Sequence, residues 1–229
     1  MTISLVTGAN KGLGFETARQ LIAAGHQVWI GARDEDRGEQ AAKELGARSV
    51  QLDVTDAASV AAAVGTVGAL DVLVNNAGIP GDGASAGATT AEGMRNVYET
   101  NVFGHVQVLH AFLPLLEGSS APVVVNVSSG LGSLGQAADP NSLYGAWAAR
   151  APAYASSKAA LNILTIKYAA AFPGMRINAV DPGYTATDLN QHRGDQSVEE
   201  GAETIVLYAL IGPNGPTGGF FDRHGSEPW

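Results

Sequence analysis

Short apolar segments alternate with longer amphipathic ones along almost the whole chain, and this order limits the possible folds. Such alternation is typical of a mostly parallel sheet with helices on both faces. The run at 122–127 is apolar on both faces, as a buried parallel strand is. Because no repeat or linker interrupts the pattern, we predict one α/β domain over 1–229 with a doubly wound sheet of about seven strands. Predicted strands cover 3–7, 27–31, 49–52, 71–75, 122–127, 176–180 and a segment near 219–221, and predicted helices cover 13–24, 34–45, a segment after 56, about 91–116, 154–171 and about 198–211.

Charge and residue usage argue against several function classes. The net charge of −9 makes nucleic acid or an anionic membrane an unfavourable partner. The chain has no cysteine, which excludes disulfides and thiolate chemistry. No signal-like segment or bilayer-length apolar run is visible, so a cytoplasmic location is expected. No metal site is predicted, because the histidines are scattered, at His26, His105, His110, His192 and His224.

The first predicted strand leads into a glycine-rich turn, Thr7-Gly-Ala-Asn-Lys-Gly-Leu-Gly14, that opens the first predicted helix. Glycines there permit a tight turn and let backbone N–H groups approach a pyrophosphate. An ordinary strand-to-helix turn is the alternative, but the position after the first strand favours a Rossmann-type dinucleotide site. The predicted contacts of this turn are Gly8, Asn10, Lys11, Gly12, Leu13 and Gly14.

Tyr154 and Lys158 lie four residues apart in a predicted helix and therefore share one face. A free tyrosine has a pKa of about 10 and is a poor acid or base at neutral pH. A neighbouring positive charge lowers that pKa and makes acid–base work near pH 7 possible. A half-buried tyrosine beside an exposed lysine is the alternative for this pair alone.

Together with Asn75-Asn-Ala-Gly78 after the fourth predicted strand, these motifs resemble the short-chain dehydrogenase/reductase family, in its single-domain branch. The likeness runs from 2 to about 189. Asn10-Lys11, Ala32-Arg33 and the closing segment 215–229 are most similar to the carbonyl reductases of that family.

The resemblance implies a catalytic set of four residues. Ser129 matches the serine that hydrogen-bonds the substrate carbonyl, and Asn101 matches the helix asparagine that holds a water linked to the lysine. Tyr154 would donate a proton to the carbonyl oxygen while hydride arrives from the nicotinamide. Lys158 would hold the ribose hydroxyls and lower the pKa of Tyr154, helped by the positive nicotinamide of the oxidised cofactor.

The end of the second predicted strand indicates which cofactor is used. Sites selective for NAD usually carry an acid there, which binds the ribose 2′-hydroxyl. Ala32-Arg33 takes that place here, and Arg33 and Lys11 could clamp a 2′-phosphate. Asp34 would repel that phosphate, but we interpret it as the cap of the next helix. The sequence therefore favours NADP, with NADPH preferred over NADH.

Three further segments match cofactor contacts of the family. Asp53-Val54 corresponds to the adenine contact, although a capping aspartate is the alternative for Asp53. Small residues after the fourth strand would allow close approach of the cofactor. The loop after the sixth strand corresponds to the nicotinamide-carboxamide contact. The predicted residues of the last two segments are Asn75, Ala77, Gly78, Pro182, Gly183, Thr185 and Thr187.

The segment 132–152 departs from the usual family pattern. Ser129 and Tyr154 are 25 residues apart, about twice the gap in most relatives, although some monomeric carbonyl reductases have a longer one. We expect this insert to form one wall of the substrate pocket, with Tyr144 and Trp147 as apolar contacts, unless it is a solvent-facing loop. The lid segment 188–197 is short, which suggests an open pocket. A monomer or a small homo-oligomer is expected.

The function that this resemblance implies is reversible, NADPH-dependent reduction of a ketone or aldehyde. One alternative is a non-catalytic NADP-binding regulator, but such proteins usually lack a member of the catalytic set. Another is an alcohol dehydrogenase that works mainly in the oxidative direction. An epimerase or dehydratase of the longer family branch would carry a different glycine turn and a sizeable substrate domain, and both are missing here.

Overall fold

A computed structural model describes residues 1–147 and 149–229, and within these residues eight strands form one sheet in the order β3-β2-β1-β4-β5-β6-β7-β8. Strands β1 to β7 pair in parallel, and β8 pairs antiparallel with β7. The predicted doubly wound sheet is confirmed; the extra strand, β8, is too short to show a pattern. The strands are β1 Ile3–Thr7, β2 Gln27–Ala32, β3 Arg48–Gln51, β4 Val72–Asn75, β5 Val123–Val127, β6 Arg176–Val180, β7 Phe220–Asp222 and β8 Gly225–Ser226.

Helices cover both faces of this sheet, and several begin at a side-chain cap. Asp34 accepts a hydrogen bond from the Arg37 backbone N–H at the start of α2, so its interpretation as a cap holds. Asp56 and Ser197 cap α3 and α9 in the same manner. The α-helices are α1 Gly12–Ala23, α2 Glu35–Leu45, α3 Ala57–Val67, α4 Ala91–Tyr98, α5 His105–Glu117, α6 Leu134–Ala138, α7 Leu143–Ala146, α8 Pro152–Ala171 and α9 Val198–Ala209.

Two hydrophobic cores lie on opposite faces of the sheet. In β4, Leu73 packs in the same core as Phe112 of α5, while the next residue, Val74, packs in the core that contains Ile205 of α9. Every residue of Val123–Val127 is buried, because β5 lies centrally between these layers. Strands with two covered faces have continuous apolar runs, and this explains why the run at 122–127 predicts β5 so well.

The segment predicted as one or two helices over 91–116 contains a wide helical turn, Glu99–Gly104, between α4 and α5. Gly104 permits this turn to pack closely, since a Cβ there would lie 2.7 Å from Cγ2 of Val54. Wide turns of this kind occur frequently at functional sites. Here the turn carries Asn101, one of the four predicted catalytic residues.

The insert over 132–152 contains the short helices α6 and α7 and is tied to the end of the chain; position 148 lies outside the described residues. The Gly135 N–H donates to the Trp229 carbonyl at 2.8 Å. The amide of Gln136 donates to Glu227 Oε1 at 3.0 Å. These contacts hold α6 against the C-terminal tail, so the insert is packed onto the domain at this end.

No helix in the described ranges combines the length and apolar character needed to cross a membrane.

Candidate active site

A cavity of about 730 Å³ opens at the edge where the parallel strands end. Carboxyl ends of strands form the ligand crevice of doubly wound sheets. Most of the predicted site residues line this one cavity, whereas Asn75 and Asn101 are not part of its lining. The lining residues that the sequence predicts are Gly8, Asn10, Lys11, Gly12, Leu13, Gly14, Arg33, Asp53, Val54, Ala77, Gly78, Ser129, Tyr144, Trp147, Tyr154, Lys158, Pro182, Gly183, Thr185 and Thr187.

The glycine turn fits closely against the end of β4. Gly8 has a φ of 63°, a conformation that favours glycine. A Cβ on Gly14 would lie 2.5 Å from Nδ2 of Asn76 and 2.7 Å from the Gly8 carbonyl oxygen, so only glycine fits there. Asn76 itself donates from Nδ2 to the Thr7 carbonyl at 2.8 Å. The side-chain amide of Asn76 therefore fastens the turn to the end of β4, and the residues of the turn line the cavity.

The N-terminus of α1 faces this cavity. In the described part of the chain no side chain caps α1 at Lys11, in contrast to α2, α3 and α9. Uncapped backbone N–H groups at a helix start attract anions, and the helix dipole adds to that attraction. The residues present therefore fit a dinucleotide whose pyrophosphate lies against the turn.

Asn75, the last residue of β4, and Asn76, the residue that follows it, lie in different surroundings. Asn75, predicted as a cofactor contact, is buried, and its Nδ2 donates to Asn126 Oδ1 at 3.0 Å inside the sheet. Asn76, which the sequence reasoning did not single out, lines the cavity. The reason is the alternation of side chains at the strand end, which places successive residues on opposite sides. Asn75 therefore lies outside the cavity lining, whereas its neighbour Asn76 is part of it.

Charged residues gather at the nucleotide end of the cavity. Arg33 and Lys11 both line it. Asp34 points its carboxylate to the α2 N-terminus and to Arg37, 3.4 Å from its Nε. The Lys11 ammonium lies 2.6 Å from Asp188, on the lid segment after β6. Lys11 therefore already has an acidic partner, which the sequence reasoning did not foresee.

Asp53 stabilises a local turn and also lines the cavity. Its Oδ1 accepts from the Thr55 backbone N–H at 2.9 Å and from the Thr55 hydroxyl at 2.7 Å, as a turn-capping aspartate does. It also lines the cavity beside Val54. The local turn thus fixes a carboxylate at the position where the family resemblance places the adenine contact.

Ser129, Tyr154 and Lys158 come together at the opposite end of the cavity. Tyr154 and Lys158 lie on the first turns of α8, while Ser129 is the second residue after the end of β5. The ammonium of Lys158 donates to the Val127 carbonyl at 2.8 Å and lies 5.6 Å from the centre of the Tyr154 ring. Helix and strand are joined by Ser128, whose hydroxyl donates to Asn162 Oδ1 at 2.5 Å. The predicted face-sharing pair is therefore present and anchored.

The electrostatics of this pair differ from the expectation. Burial raises the pKa of Tyr154, the Asp181 carboxylate raises it further, and the Ser129 hydroxyl opposes the rise. Burial also lowers the pKa of Lys158 to about 8, while Asp181 acts in the opposite direction. The expected lowering of the Tyr154 pKa is thus not produced by the protein's own groups.

Asn101 lies behind the cavity wall, fully buried in the wide turn. Its Oδ1 accepts from the Ile79 N–H at 2.9 Å, and its Nδ2 donates to the Ile79 carbonyl at 3.0 Å. The same Nδ2 lies 3.1 Å from the Ser157 hydroxyl, one residue before Lys158. Asn101 therefore clamps the segment after β4 to α8, and its described hydrogen bonds are to these groups rather than to Lys158.

His105 is a buried residue that no sequence pattern indicated as part of the site. Its Nε2 lies 2.7 Å from the Ala77 carbonyl, which only accepts, so this nitrogen carries the proton. Burial lowers the pKa of His105 to about 3, and the charge of Lys158 lowers it as well. A neutral histidine thus supports Ala77 from beneath the cavity.

The insert lines the cavity through Tyr144 and Trp147, as predicted for the pocket wall. Trp147 packs edge-on against Tyr184 with ring centres 5.3 Å apart. Tyr144, however, does more than supply an apolar surface, because its hydroxyl donates to Asp181 Oδ2 at 2.7 Å. The lid folds back on the same side, where Asn190 Nδ2 donates to the Thr185 carbonyl at 2.8 Å.

The sequence reasoning missed several residues that line the cavity. Asp181 could have been identified from the sequence, because a carboxylate at the end of a buried strand needs hydrogen-bond donors or a cation beside it. Tyr184 and Asp188 flank predicted contacts in the loop after β6, but nothing in the sequence indicates which way they point. The lining residues that were missed include Leu52, Asn76, Leu131, Asp181, Tyr184, Asp188 and Leu189.

Comparison with known proteins identifies the family and agrees with the fold. The family model for short chain dehydrogenases matches residues 2–198. The chain is 39% identical to short-chain dehydrogenase anuI of Penicillium roqueforti (strain FM164), over 91% of this chain and 88% of that protein. It is 36% identical to (−)-isopiperitenone reductase of Mentha piperita, over 96% of each. The structure of NADPH-bound carbonyl reductase from chicken fatty liver matches it with a TM-score of 0.87 at 29% identity, over 100% of both chains.

The sheet order and the glycine turn define the class of protein, a Rossmann-type nucleotide-binding α/β domain. Within that class, the chain belongs to the short-chain dehydrogenase/reductase family of oxidoreductases. The similar solved structures include one named as a carbonyl reductase, and the matching family model confirms the family prediction.

Proposed function

We propose that the chain is an NADPH-dependent reductase of ketones or aldehydes, working as a single catalytic domain. One observation carries the proposal: Ser129, Tyr154 and Lys158 line the same cavity as the glycine turn. A nucleotide held at one end would therefore present its reactive part to these side chains at the other end. The names of the similar relatives, which include a carbonyl reductase, support the same reaction class.

In the proposed reaction, a bound nicotinamide supplies the hydride. The Ser129 hydroxyl donates a hydrogen bond to the substrate carbonyl oxygen and holds it toward Tyr154. Tyr154 gives its phenolic proton to that oxygen, and solvent then returns a proton to the phenolate. Lys158, whose pKa lies at about 8, is mostly charged at neutral pH and stabilises the phenolate that forms.

The preference for NADPH rests on the charges at the nucleotide end. Arg33 is exposed and lines the cavity at the end of β2, where a 2′-phosphate would need a cation. The acid that could repel this phosphate, Asp34, is engaged with the start of α2 and with Arg37. Lys11 would contribute as well, once it leaves Asp188 for the phosphate.

The test is turnover of a panel of activated ketones with NADPH, followed by loss of reduced-nicotinamide absorbance. We expect Tyr154→Phe to lose at least about 100-fold in kcat, because general acid catalysis is removed. Tyr168→Phe, a phenol removed from the same helix outside the cavity lining, is the matched control and should retain activity. No turnover in the wild type, or equal turnover in Tyr154→Phe, would refute the proposal.

The cofactor preference needs its own experiment. Arg33→Gln should raise KM for NADPH about tenfold and leave KM for NADH nearly unchanged, since only NADPH carries the 2′-phosphate. An equal effect on both cofactors would show that Arg33 does not recognise that phosphate.

A further inference from the structure

Asp181 is an acidic residue inside the proposed catalytic end that the reaction above does not use. It follows β6 directly and is only 3% exposed. Its Oδ2 accepts from the Tyr144 hydroxyl at 2.7 Å, and its Oδ1 accepts from the Gly183 N–H at 3.0 Å. A buried carboxylate is costly unless it is hydrogen-bonded in this manner. Hydrogen bonds from Tyr144 and Gly183 therefore compensate for the burial of a carboxylate here.

The ring of Tyr144 fixes this carboxylate from the side of the insert. It lies directly on Gly130, where a Cβ would be 2.1 Å from Tyr144 Cζ. Burial raises the pKa of Asp181, while the Tyr144 hydroxyl and the backbones of Gly183 and Gly130 oppose that rise and so favour the carboxylate form. Because Gly130 follows Ser129 in sequence, this anchored pair lies beside the proposed catalytic residues.

The charge of Asp181 reaches both members of the proposed acid–base pair. Its carboxylate raises the pKa of Tyr154 and also raises the pKa of Lys158. The other titratable groups around Asp181 are Asp222, which raises its pKa, and Glu227, which lies near both acids. Asp222 and Glu227 are not among the groups that shift Tyr154 or Lys158.

The cavity lining shows which further groups face Tyr154. Besides Lys158 on its own helix, the titratable groups that line the same cavity are Tyr144, Tyr184 and Asp181 and, at the nucleotide end and on the lid, Lys11, Arg33, Asp53, Asp188 and His192. Among the carboxylates of the described residues, Asp181 is the one that acts on Tyr154. A change at Asp181 should therefore be visible in the titration of Tyr154.

We propose that Asp181, held by Tyr144, is a positioning residue that keeps Tyr154 in its proton-donating form and Lys158 charged. The inference rests on the proposed function and adds a residue outside the predicted catalytic set. It predicts that the site carries out reduction over a wider range of alkaline pH than the same site without this charge. Alcohol oxidation, which needs the Tyr154 phenolate as base, is correspondingly confined to higher pH.

The experiment is the pH profile of kcat/KM in both directions for the wild type, Asp181→Asn and the smaller Asp181→Ser. We expect the midpoint of the oxidative profile to move about one unit lower in both variants, as removal of a nearby charge typically causes. At a pH well below the midpoint, each Asp181 variant should then oxidise the alcohol at a fraction of its own high-pH plateau rate that is about tenfold larger than the fraction in the wild type. Reduction should begin to fall at correspondingly lower pH.

Asp222→Asn is the matched control, because it removes a neighbouring carboxylate that does not act on Tyr154. Its midpoint should coincide with that of the wild type. A purely structural role of Asp181 would lower rates at every pH without moving the midpoint, and this result would overturn the inference. So would a failure of both Asp181 variants to fold, or an equal shift in Asp222→Asn. Absence of ketone turnover in the wild type would instead refute the proposed function.

Discussion

The two ends of the cavity are built in different ways. At the nucleotide end, glycines and backbone groups form much of the surface, and Asn76 fastens the turn to the end of β4 through the Thr7 carbonyl. At the catalytic end, side chains from segments far apart in sequence converge, as Tyr144 and Asp181 do across 37 positions. The glycine turn at the first end can therefore be recognised from local sequence, whereas the arrangement of side chains at the second end depends on tertiary packing. Variants should affect the two ends separately, and this expectation can be tested.

The largest effect is expected at the nucleotide end, from Gly14→Ala. The added methyl group would lie 2.5 Å from Nδ2 of Asn76 and 2.7 Å from the Gly8 carbonyl oxygen. Overpacking of this kind costs about 1–3 kcal/mol, which corresponds to a loss of up to about 100-fold in NADPH affinity. NADPH fluorescence titration measures the change. Gly65→Ala is the control, since a Cβ there meets nothing within 4 Å; equal NADPH affinity in the two variants would contradict the fit of the turn.

At the catalytic end, Gly130→Ala should have a smaller effect, which lowers kcat/KM for ketones and leaves NADPH affinity nearly unchanged. A Cβ would lie 2.1 Å from Tyr144 Cζ, so the ring must move off Asp181. We expect kcat/KM for ketones to fall about tenfold, consistent with a displaced side chain that costs about 1.4 kcal/mol. NADPH affinity should stay within twofold or so of the wild-type value.

Steady-state kinetics with a ketone, together with NADPH titration, separate these two quantities for Gly130→Ala. Gly174→Ala serves as the control because its added methyl group meets nothing within 4 Å. A loss of NADPH affinity as large as that of Gly14→Ala would show that the two ends are not independent.

The same contrast explains what the sequence could predict. The β–α order, the glycine turn and the Tyr154–Lys158 spacing are local patterns, and each predicts its element to within a few residues. The helix α8 begins two residues before the predicted start, because Pro152 fits its first turn. Strand alternation decides that Asn75 is buried inside the sheet and that Asn76 lines the cavity, and the local motif does not show this.

Contacts between segments that are far apart in the sequence could not be predicted in this manner. No local pattern indicates that Tyr144 of the insert contacts Asp181 or that α6 packs on the C-terminal tail. The pairing of Lys11 with Asp188 of the lid is equally invisible in the sequence. These contacts join segments that approach only after the sheet has formed. Burial likewise reverses the simple expectation for the Tyr154 pKa, since desolvation depends on neighbours from several elements.

His105 interacts with one residue from each end of the cavity, and its titration should change the folding stability. It contacts the Ala77 carbonyl and lies near the charge of Lys158, and burial lowers its pKa to about 3. Below its unfolded value of about 6.5, the unfolded chain binds a proton that the folded chain does not. Stability should therefore fall as pH decreases, by about 1 kcal/mol between pH 6 and pH 5 from this residue.

Urea unfolding of the wild type and His105→Gln at both pH values isolates this contribution, because all other titrating groups are shared. The glutamine amide can still donate to Ala77, so the variant keeps the hydrogen bond. We expect its stability to depend less steeply on pH in this range. Identical slopes for the two proteins would show that His105 takes up a proton in the folded state.

The smallest effect is expected where Lys11 of the glycine turn meets Asp188 of the lid. Both side chains are more than half exposed, and their closest atoms lie 2.6 Å apart. Exposed pairs contribute about 0–1 kcal/mol, so Asp188→Asn should change folding stability little.

The effect on NADPH binding is larger. Asp188→Asn removes the negative charge beside the Lys11 ammonium, so that this ammonium can bind a phosphate instead. NADPH affinity should rise at low salt by up to about fivefold, and the gain should fade near 1 M salt, where screening is strong. NADH should gain less because it has no 2′-phosphate, and Glu44→Gln, an exposed acid outside the cavity lining, should leave both affinities unchanged. Weaker NADPH binding in Asp188→Asn would show instead that the pair orders the lid over the nucleotide, and the two ends of the cavity would then be coupled through this contact.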